Sequence, residues 1–263
     1  MKIKRKTSGI IIIGNEVLSG KTLDTNSNFL CKKLHEIGIE CKEISVVEDI
    51  ERIIVKKVNS FRKTFDFVFK TGWIGPTHDD ITSKSIAVAF KDKFVLNKLA
   101  KARLKKHYSD ELLTKARLKM AYLPSRATLI DNPVSIAPGF SLDNVHVFPG
   151  VPKIFEIMLT EFIKGIGEQR KFFKKNITTE IPEGIFAEYV GKVQKKYPDV
   201  DIGSYPYFKK KSFGVSLIIK SDSEEFLDTV CDIIYKYLDK KMGNQGYFNF
   251  SAIILLENLL SSA

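Results

Sequence analysis

The chain has 263 residues, 44% of them hydrophobic, and its 42 basic and 31 acidic residues give a formal charge of +11. This length and apolar content indicate a soluble, globular protein with one large domain, or a large domain and a small one. Three cysteines without a C-x-x-C spacing argue against both a disulfide framework and a zinc site.

No segment has the pattern of a targeting or membrane sequence. The N-terminal residues 1–6 are basic, but the apolar run that follows is too short for a signal peptide, and the apolar stretch 251–260 is too short to span a bilayer. A reducing, cytoplasmic compartment is therefore predicted, with no membrane partner.

The first 70 residues alternate between strand and helix patterns. The predicted elements are a strand at 7–13, a helix starting at 24–27 and ending at Gly38, a strand at 39–47, a helix at 50–62 with Asp49 as N-cap, and a strand at 65–69. The continuous β-branched run at 7–13 is typical of a central parallel strand buried on both faces. The order predicts an α/β fold, a doubly wound, mostly parallel sheet.

The loop at 71–82 carries the strongest functional signal. Gly72 and Gly75 allow a ligand to approach the backbone, and a helix predicted at 81–90 offers unpaired N–H groups at its start. Asp79 and Asp80 would repel a bare phosphate, so a hard divalent cation such as Mg²⁺ is expected between carboxylates and phosphate. The alternative is a simple helix N-cap, for which one aspartate would suffice.

Other polar residues follow strands of the same sheet. Gly14, Asn15 and Glu16 follow the first strand, Glu48 and Asp49 the second, and Gly150 follows a strand predicted at 144–148. Ligands of such sheets bind at the carboxyl ends of the strands. These loops are therefore expected to share one site.

More than half of the excess charge lies in residues 97–119, which carry eight basic and two acidic residues. Leucines at helical spacing predict two amphipathic helices with a break near Ser109. Tyr108 is the one aromatic residue in this stretch, which therefore lacks a stacking platform for bases. A solvated helical face is favoured, and nucleic acid is not the expected partner.

The chain after Lys164 becomes polar and then shows strand, helix, strand, strand and helix patterns. The predicted organisation is a large α/β domain at 1–168, a smaller C-terminal α+β domain at 169–242 and a tail at 243–263.

The motifs at 14–20, 24–27 and 71–82, with those at 132–140 and 149–152, resemble the molybdopterin-binding, MoaB/Mog-like family. Within it they are most similar to the CinA N-terminal domain and to the corresponding domain of FAD synthase. The resemblance implies a three-layer fold, a site for the phosphates of a nucleotide or pterin, and a homo-oligomer. No deamidase or FAD synthase catalytic domain is recognised after it, so a stand-alone version is expected.

The resemblance also implies roles for individual residues. Asp80 and Asp49 correspond to catalytic acids that hold the metal. Asp79 is expected to act in catalysis through a water or a neighbouring ligand, because consecutive side chains usually diverge and would not share one role. The implied ligand-binding residues are Gly14, Glu16, Asn26, Thr71, Gly72, Trp73, Gly75, Pro76, Thr77, Thr82 and Gly150. Trp73 stands where the family pattern has a second glycine, and Asn15 stands where it usually has aspartate. Lys70 and Lys153 could contact phosphate, but solvated lysines are the default expectation.

Three functions remain open on this basis. The leading one is metal-dependent cleavage of a dinucleotide pyrophosphate such as ADP-ribose or FAD, with Mg²⁺ neutralising the developing charge. The alternative is a protein of molybdenum cofactor biosynthesis that binds molybdopterin or a nucleotide without turnover. An RNA-associated role of the 97–119 face is a weaker third possibility.

Overall fold

A computed structural model gives the fold, and it describes residues 5–72, 75, 77, 80–109, 111–167, 169, 173–209, 212–245 and 254–255. The chain divides into two compact units, Met1–Arg170 and Lys171–Ala263. Most of the predicted tail at 243–263 lies outside the described residues.

The first unit alternates strands and helices along the chain. Its elements are β1 (Thr7–Ile13), α1 (Asn15–Leu18), α2 (Asn26–Glu36), β2 (Glu40–Val47), α3 (Glu51–Thr64), β3 (Phe67–Gly72), α4 (Thr82–Ala89), β4 (Phe94–Leu96), α5 (Lys98–His107), α6 (Lys115–Lys119), β5 (Tyr122–Pro124), β6 (Thr128–Ile130), β7 (Gly139–Leu142), β8 (Val145–Val147) and α7 (Pro152–Ile166).

Six of these strands form one sheet in the order β2-β1-β3-β8-β7-β6. The pairs of β1 with β2, β1 with β3 and β3 with β8 are parallel, whereas β7 pairs antiparallel with both β8 and β6. The carboxyl ends of β1, β2, β3 and β8 therefore lie at one edge. Because β7 runs the other way, the loop between β6 and β7 also lies at that edge.

Strand β1 shows why the sheet has helices on both faces. Ile10 and Ile12 pack in a core that includes residues of α2 and α7, whereas Ile11 and Ile13 pack in a second core that includes residues of α3, α4 and α5. All four isoleucines are at most 4% exposed. The predicted three-layer α/β class with a doubly wound, mostly parallel sheet is confirmed.

The sequence did not predict the short strands at 94–96, 122–124, 128–130 and 139–142. Each has only three or four residues, which is too short for a hydrophobic alternation to be distinguished from a turn. The sheet consequently has an antiparallel edge, and β4 and β5 form a separate two-stranded ladder.

The predicted N-cap role of Asp49 is wrong. Helix α3 begins at Glu51 with Ile50 as its N-cap, and no side chain caps it. The Asp49 carboxylate instead accepts a hydrogen bond from the backbone N–H of Asn15 at 3.0 Å. Asp49 therefore joins the loops after β1 and β2 rather than starting a helix.

The second unit is a smaller α+β fold, as predicted. It contains β9 (Phe173–Thr179), α8 (Glu183–Lys196), β10 (Val200–Lys209), β11 (Ser212–Ser221), α9 (Glu224–Gln245) and β12 (Ile254–Leu255). The strands form an antiparallel sheet in the order β10-β11-β9-β12, with a core that includes Phe186, Leu217 and Ile234. In the part of the chain that is described, no helix is long and apolar enough to cross a bilayer.

His146 is a buried polar side chain within the apolar core of the first unit. The centroid of its ring lies 4.8 Å from the ring centroid of Phe162 and 5.3 Å from that of Phe69. Its Nδ1 is 2.9 Å from the hydroxyl oxygen of Ser141. Its Nε2 has no hydrogen-bond partner among the described residues. Burial lowers the pKa of His146 from 6.5 to about 4, because a charged imidazolium would be poorly solvated there.

This burial predicts a pH-dependent stability. Between pH 6.5 and 4 His146 is protonated in the unfolded chain but stays neutral in the folded protein. The free energy of unfolding therefore falls as the pH falls. The stability lost in this way is on the order of 3 kcal/mol once the pH is below both pKa values.

Urea unfolding of wild type and His146→Leu between pH 6.5 and 4 should show that the variant loses less of its free energy of unfolding as the pH falls. His107→Leu, which removes an exposed imidazole, should keep the wild-type acid loss; equal slopes for all three proteins would contradict this prediction.

Candidate functional site

The loop after β1 meets the loop after β2 through main-chain hydrogen bonds. Gly14 N donates to the carbonyl of Val47 at 3.2 Å, and Asn15 N donates to Asp49 Oδ2 at 3.0 Å. A Cβ built at Gly14 would lie 2.5 Å from Oε1 of Glu16, so a larger residue would displace that carboxylate. The glycine therefore allows Glu16 to fold back over the end of β1.

Gly72 ends β3 in a conformation that suits only glycine. Its φ is +135°, and a Cβ there would collide with the carbonyl oxygen of Ile13. A Cβ at Gly150 would in turn lie 3.1 Å from Cα of Gly72. The ends of β1, β3 and β8 thus approach one another more closely than side chains would allow.

Asn26, at the start of α2, connects these strand ends. Its Nδ2 donates to Thr71 Oγ1 at 2.9 Å and to the carbonyl of Gly150 at 2.8 Å, and the residue is only 6% exposed. Thr71 Oγ1 in turn donates to the carbonyl of Pro149 at 3.3 Å. The Asn26 side chain therefore holds the turn after β3 against the turn after β8.

Asp80 organises the loop that precedes α4. Its Oδ2 accepts hydrogen bonds from Thr77 N at 2.8 Å and from the Thr77 hydroxyl, and a Cβ at Gly75 would lie 2.8 Å from the same oxygen. Its Oδ1 is buried and has no hydrogen-bond partner among the described residues. Lys119 donates to the carbonyl of Thr77.

Asp80 is not the N-cap of the helix. Helix α4 begins at Thr82, its N-cap is Ile81, and no side chain caps it. The carboxylate is bonded back to Thr77 instead, so the capping alternative does not explain this aspartate. Thr82 itself is buried at the first position of the helix. Trp73, Pro76 and Asp79, three of the residues predicted for this site, lie outside the described residues.

The expectation of a solvated side chain is wrong for Lys70. This residue is 0% exposed, because β3 lies between β1 and β8 in the middle of the sheet and is covered on both faces. Burial lowers the pKa of Lys70 to about 7, and the charges of Asp49, Asp80 and Glu16 oppose that shift. Lysine is almost never fully buried without partners. A lysine within an apolar central strand was the sequence signal that could have revealed it.

The described residues do not form a closed metal cage. None of their histidine, cysteine, aspartate and glutamate side chains gather in a group of three that could hold an ion. The charges of Asp49 and Asp80, in the loops after β2 and β3, nevertheless both oppose the lowering of the Lys70 pKa. Two carboxylates suit Mg²⁺, which commonly keeps several waters and takes its remaining ligands from a substrate phosphate.

Recesses near the site are formed by described residues of the first unit. A small one beside the loop, about 20 Å³, is lined by Gly75, Asp80, Thr82, Ser83, Phe94, Lys119 and Met120. A larger cavity of about 520 Å³ is lined by Arg103, Lys106, His107, Asp131, Asn132, Pro133 and Ile136. The sequence did not predict this cavity, because it forms only when the α5 helix meets the loop between β6 and β7.

Family comparisons agree with the motifs. A family profile described as "Probable molybdopterin binding domain" matches residues 9–168, and one described as "FAD synthase, middle domain" matches residues 171–245. The crystal structure of CinA, a protein with unknown function from Thermoplasma acidophilum, superposes with a TM-score of 0.59 at 34% identity. The match covers 62% of this chain and 98% of that chain.

Longer relatives match both units. A "Probable FAD synthase" of Caenorhabditis briggsae is 33% identical over 253 residues, which cover 86% of this chain and 48% of that protein. A "CinA-like protein" of Thermosipho melanesiensis is 31% identical over 260 residues, which cover 90% of this chain and 65% of that protein. The chain thus spans about half the length of the nematode FAD synthase relatives. The predicted family resemblance is confirmed.

The bridging role of Asn26 can be tested by stability. Asn26→Ala removes both donated hydrogen bonds and leaves the partly buried Gly150 carbonyl without this donor, so it should lower the free energy of unfolding by about 1–3 kcal/mol. Asn28→Ala changes an exposed residue of the same helix and should stay within about 0.5 kcal/mol of wild type. Urea unfolding of both variants measures this. Equal effects would show that the Asn26 side chain is not a structural bridge.

Proposed function

The chain belongs to the molybdopterin-binding domain family, and on this premise we propose that it is a nucleotide pyrophosphatase that cleaves a dinucleotide such as ADP-ribose or FAD with a divalent cation. The observation that carries the proposal is the meeting of the loops after β1, β2 and β3 at one edge of the sheet, where the buried Oδ1 of Asp80 has no partner among the described residues. Charged groups of both signs at the carboxyl edge of a parallel sheet suit a phosphate ligand with its cation.

The glycine turns are the proposed phosphate contacts. Gly14, Gly72 and Gly75 carry no side chain of their own, and the carboxylates of Glu16 and Asp80 lie against Gly14 and Gly75, so a phosphate would approach this part of the main chain together with its cation. The relatives named FAD synthase, and the match of the second unit to the middle domain of that enzyme, support a flavin or adenine dinucleotide as the source of the phosphates.

Asp49 and Asp80 are the proposed residues for a divalent cation, with Mg²⁺ as the expected ion. The buried Oδ1 of Asp80, which has no partner among the described residues, is the oxygen best suited to bind it. When bound, the cation would neutralise negative charge that develops on the phosphate oxygens. Asp80 is fixed for this role because Thr77 holds its other oxygen.

The proposed reaction is a hydrolysis. A water oxygen forms a bond to one phosphorus while the bond from that phosphorus to the bridging oxygen breaks, which gives two phosphate monoesters. The proton lost by the water passes to solvent through a neighbouring carboxylate, for which Glu16 is positioned beside the turn after β1. Asn26 keeps the turns around Thr71 and Gly150 fixed during this step.

A second candidate is binding without turnover, with molybdopterin or a nucleotide as ligand. The family description itself favours it, since it names molybdopterin binding and no reaction. Both candidates require the same pocket for a phosphate-bearing small molecule, and both are proposed for a cytoplasmic homo-oligomer. They differ in whether the pyrophosphate bond is broken.

Turnover of ADP-ribose and FAD with Mg²⁺ separates the two candidates. Monoester products, detected as phosphate after treatment with a phosphatase, are expected from wild type, and Asp80→Asn should lower kcat by about a hundredfold or more. Asp143→Asn is a matched control, because Asp143 is an exposed turn residue between β7 and β8 at the opposite edge of the sheet, and asparagine tolerates its φ of +50°.

Two results would reject hydrolysis. One is an Asp80→Asn variant that turns over at the wild-type rate. The other is a wild-type protein that binds a pterin tightly but releases no product from either dinucleotide.

A further inference from the structure

We propose that the cavity between α5 and the loop after β6 is a second small-molecule site, and that it binds a nucleoside monophosphate without a divalent cation. Its walls come from the second half of α5 and from residues 131–136. The described residues that line it include none that we assign to the metal-dependent pocket. Binding in this cavity therefore does not require the proposed hydrolysis.

The cavity has the size and the position of a separate site. Its volume is about 520 Å³, within the range of roughly 300–1,000 Å³ that is usual for small-molecule pockets. Strands β8 and β7 lie between β3 and β6, so at about 4.8 Å per strand the ends of β3 and β6 are roughly 14 Å apart. A ligand held beside the end of β6 is therefore remote from the turn that ends β3.

The loop that forms one wall is fixed in a strained conformation. The side chain of Asn132 is buried, and its Oδ1 accepts hydrogen bonds from the backbone N–H groups of Val134 and Ser135, both at 3.0 Å. Its Nδ2 donates to Ser135 Oγ and to the carbonyl of Ala137, both at 2.8 Å. Ile136 has a φ of +66°, which is a rare conformation for a β-branched residue. Strain of this kind persists only where neighbours impose it, and it concentrates at ligand sites.

The charged groups of the cavity match a phosphate and a ribose. Arg103 and Lys106 are three residues apart on α5, so they lie on the same face of the helix. Nη1 of Arg103 is 2.6 Å from Oδ1 of Asp131. A guanidinium has five N–H donors, so it can bind phosphate oxygens while it keeps this ion pair. The Asp131 carboxylate can accept hydrogen bonds from ribose hydroxyl groups.

The remaining walls suit a planar base. Pro133 and Ile136 give the cavity an apolar side, and the exposed imidazole of His107 offers a ring on which a base can stack. Basic residues in the last turn of a helix are also favoured by its dipole. The dipole explains neither the apolar wall nor the fixed loop. Cations, a hydroxyl acceptor and an apolar wall in one cavity favour a nucleoside monophosphate over inorganic phosphate or a neutral nucleoside.

Binding of AMP to the full chain in the presence of EDTA tests this site. Equilibrium dialysis of wild type should show saturable binding at submillimolar AMP. Adenosine and inorganic phosphate should each bind at least about tenfold more weakly, because each lacks part of these contacts. EDTA removes the divalent cation that the proposed catalytic pocket needs to hold a phosphate.

Two substitutions in the cavity, Arg103→Met and Lys106→Met, should each weaken AMP binding by about tenfold, because each removes a charge that faces the phosphate. Lys105→Met is the matched control. It removes the same charge from an exposed residue of the same turn that does not line the cavity, and it should match wild type within about twofold. Asp80→Asn should also bind AMP as wild type does.

Several results would overturn this assignment. Wild type could bind no AMP at millimolar concentration in EDTA, or both cavity variants could bind it as tightly as wild type. Adenosine or inorganic phosphate could bind as tightly as AMP, which would remove the role of the charges or of the apolar wall. Loss of binding in Asp80→Asn would place the nucleotide in the catalytic pocket instead. An inactive wild-type protein that still binds AMP in EDTA would reject the hydrolysis and support the cavity site.

Discussion

A buried ammonium is the constraint on which the candidate site depends. Lys70 is carried into the middle of the sheet by β3, and its charge there must be balanced. The balance comes from Asp49, Asp80 and Glu16, which belong to three different loops. The three loops whose charges oppose the loss of the proton from Lys70 are thus the loops that carry the acidic groups of the pocket.

The backbone supplies the complementary half of the site. Gly72 and Gly150 allow strand ends to approach closely, and Asn26 satisfies the carbonyl of Gly150 and the hydroxyl of Thr71 in that crowded region. Side chains are excluded from these turns because backbone atoms of the neighbouring strand ends fill the space that a Cβ would take. The charged side chains of Asp49, Asp80, Glu16 and Lys70 then determine which ligand charge is favoured. This division of roles is consistent with a phosphate-bearing ligand and a mobile cation.

Much of the fold could be predicted from the sequence, because the central strands have clear signals. The run at 7–13 has no polar interruption after Ser8, and its isoleucines do alternate between two cores. The meeting of several loops at one edge follows from parallel pairing alone. The strands at 128–130 and 139–142 were missed because three or four residues carry no usable periodicity. The burial of Lys70 and the bond from Asn15 to Asp49 depend on neighbours that sequence spacing does not reveal.

The most direct measurement is a crystal structure of the protein soaked with ADP-ribose and Mg²⁺. The account predicts pyrophosphate density beside the turns at Gly72 and Gly75, with the ion between the phosphate oxygens and Oδ1 of Asp80, and with Lys70 still buried beneath it. A ligand that binds only in the cavity beside Arg103, with Asp80 turned inward and no anion at the glycine turns, would contradict it.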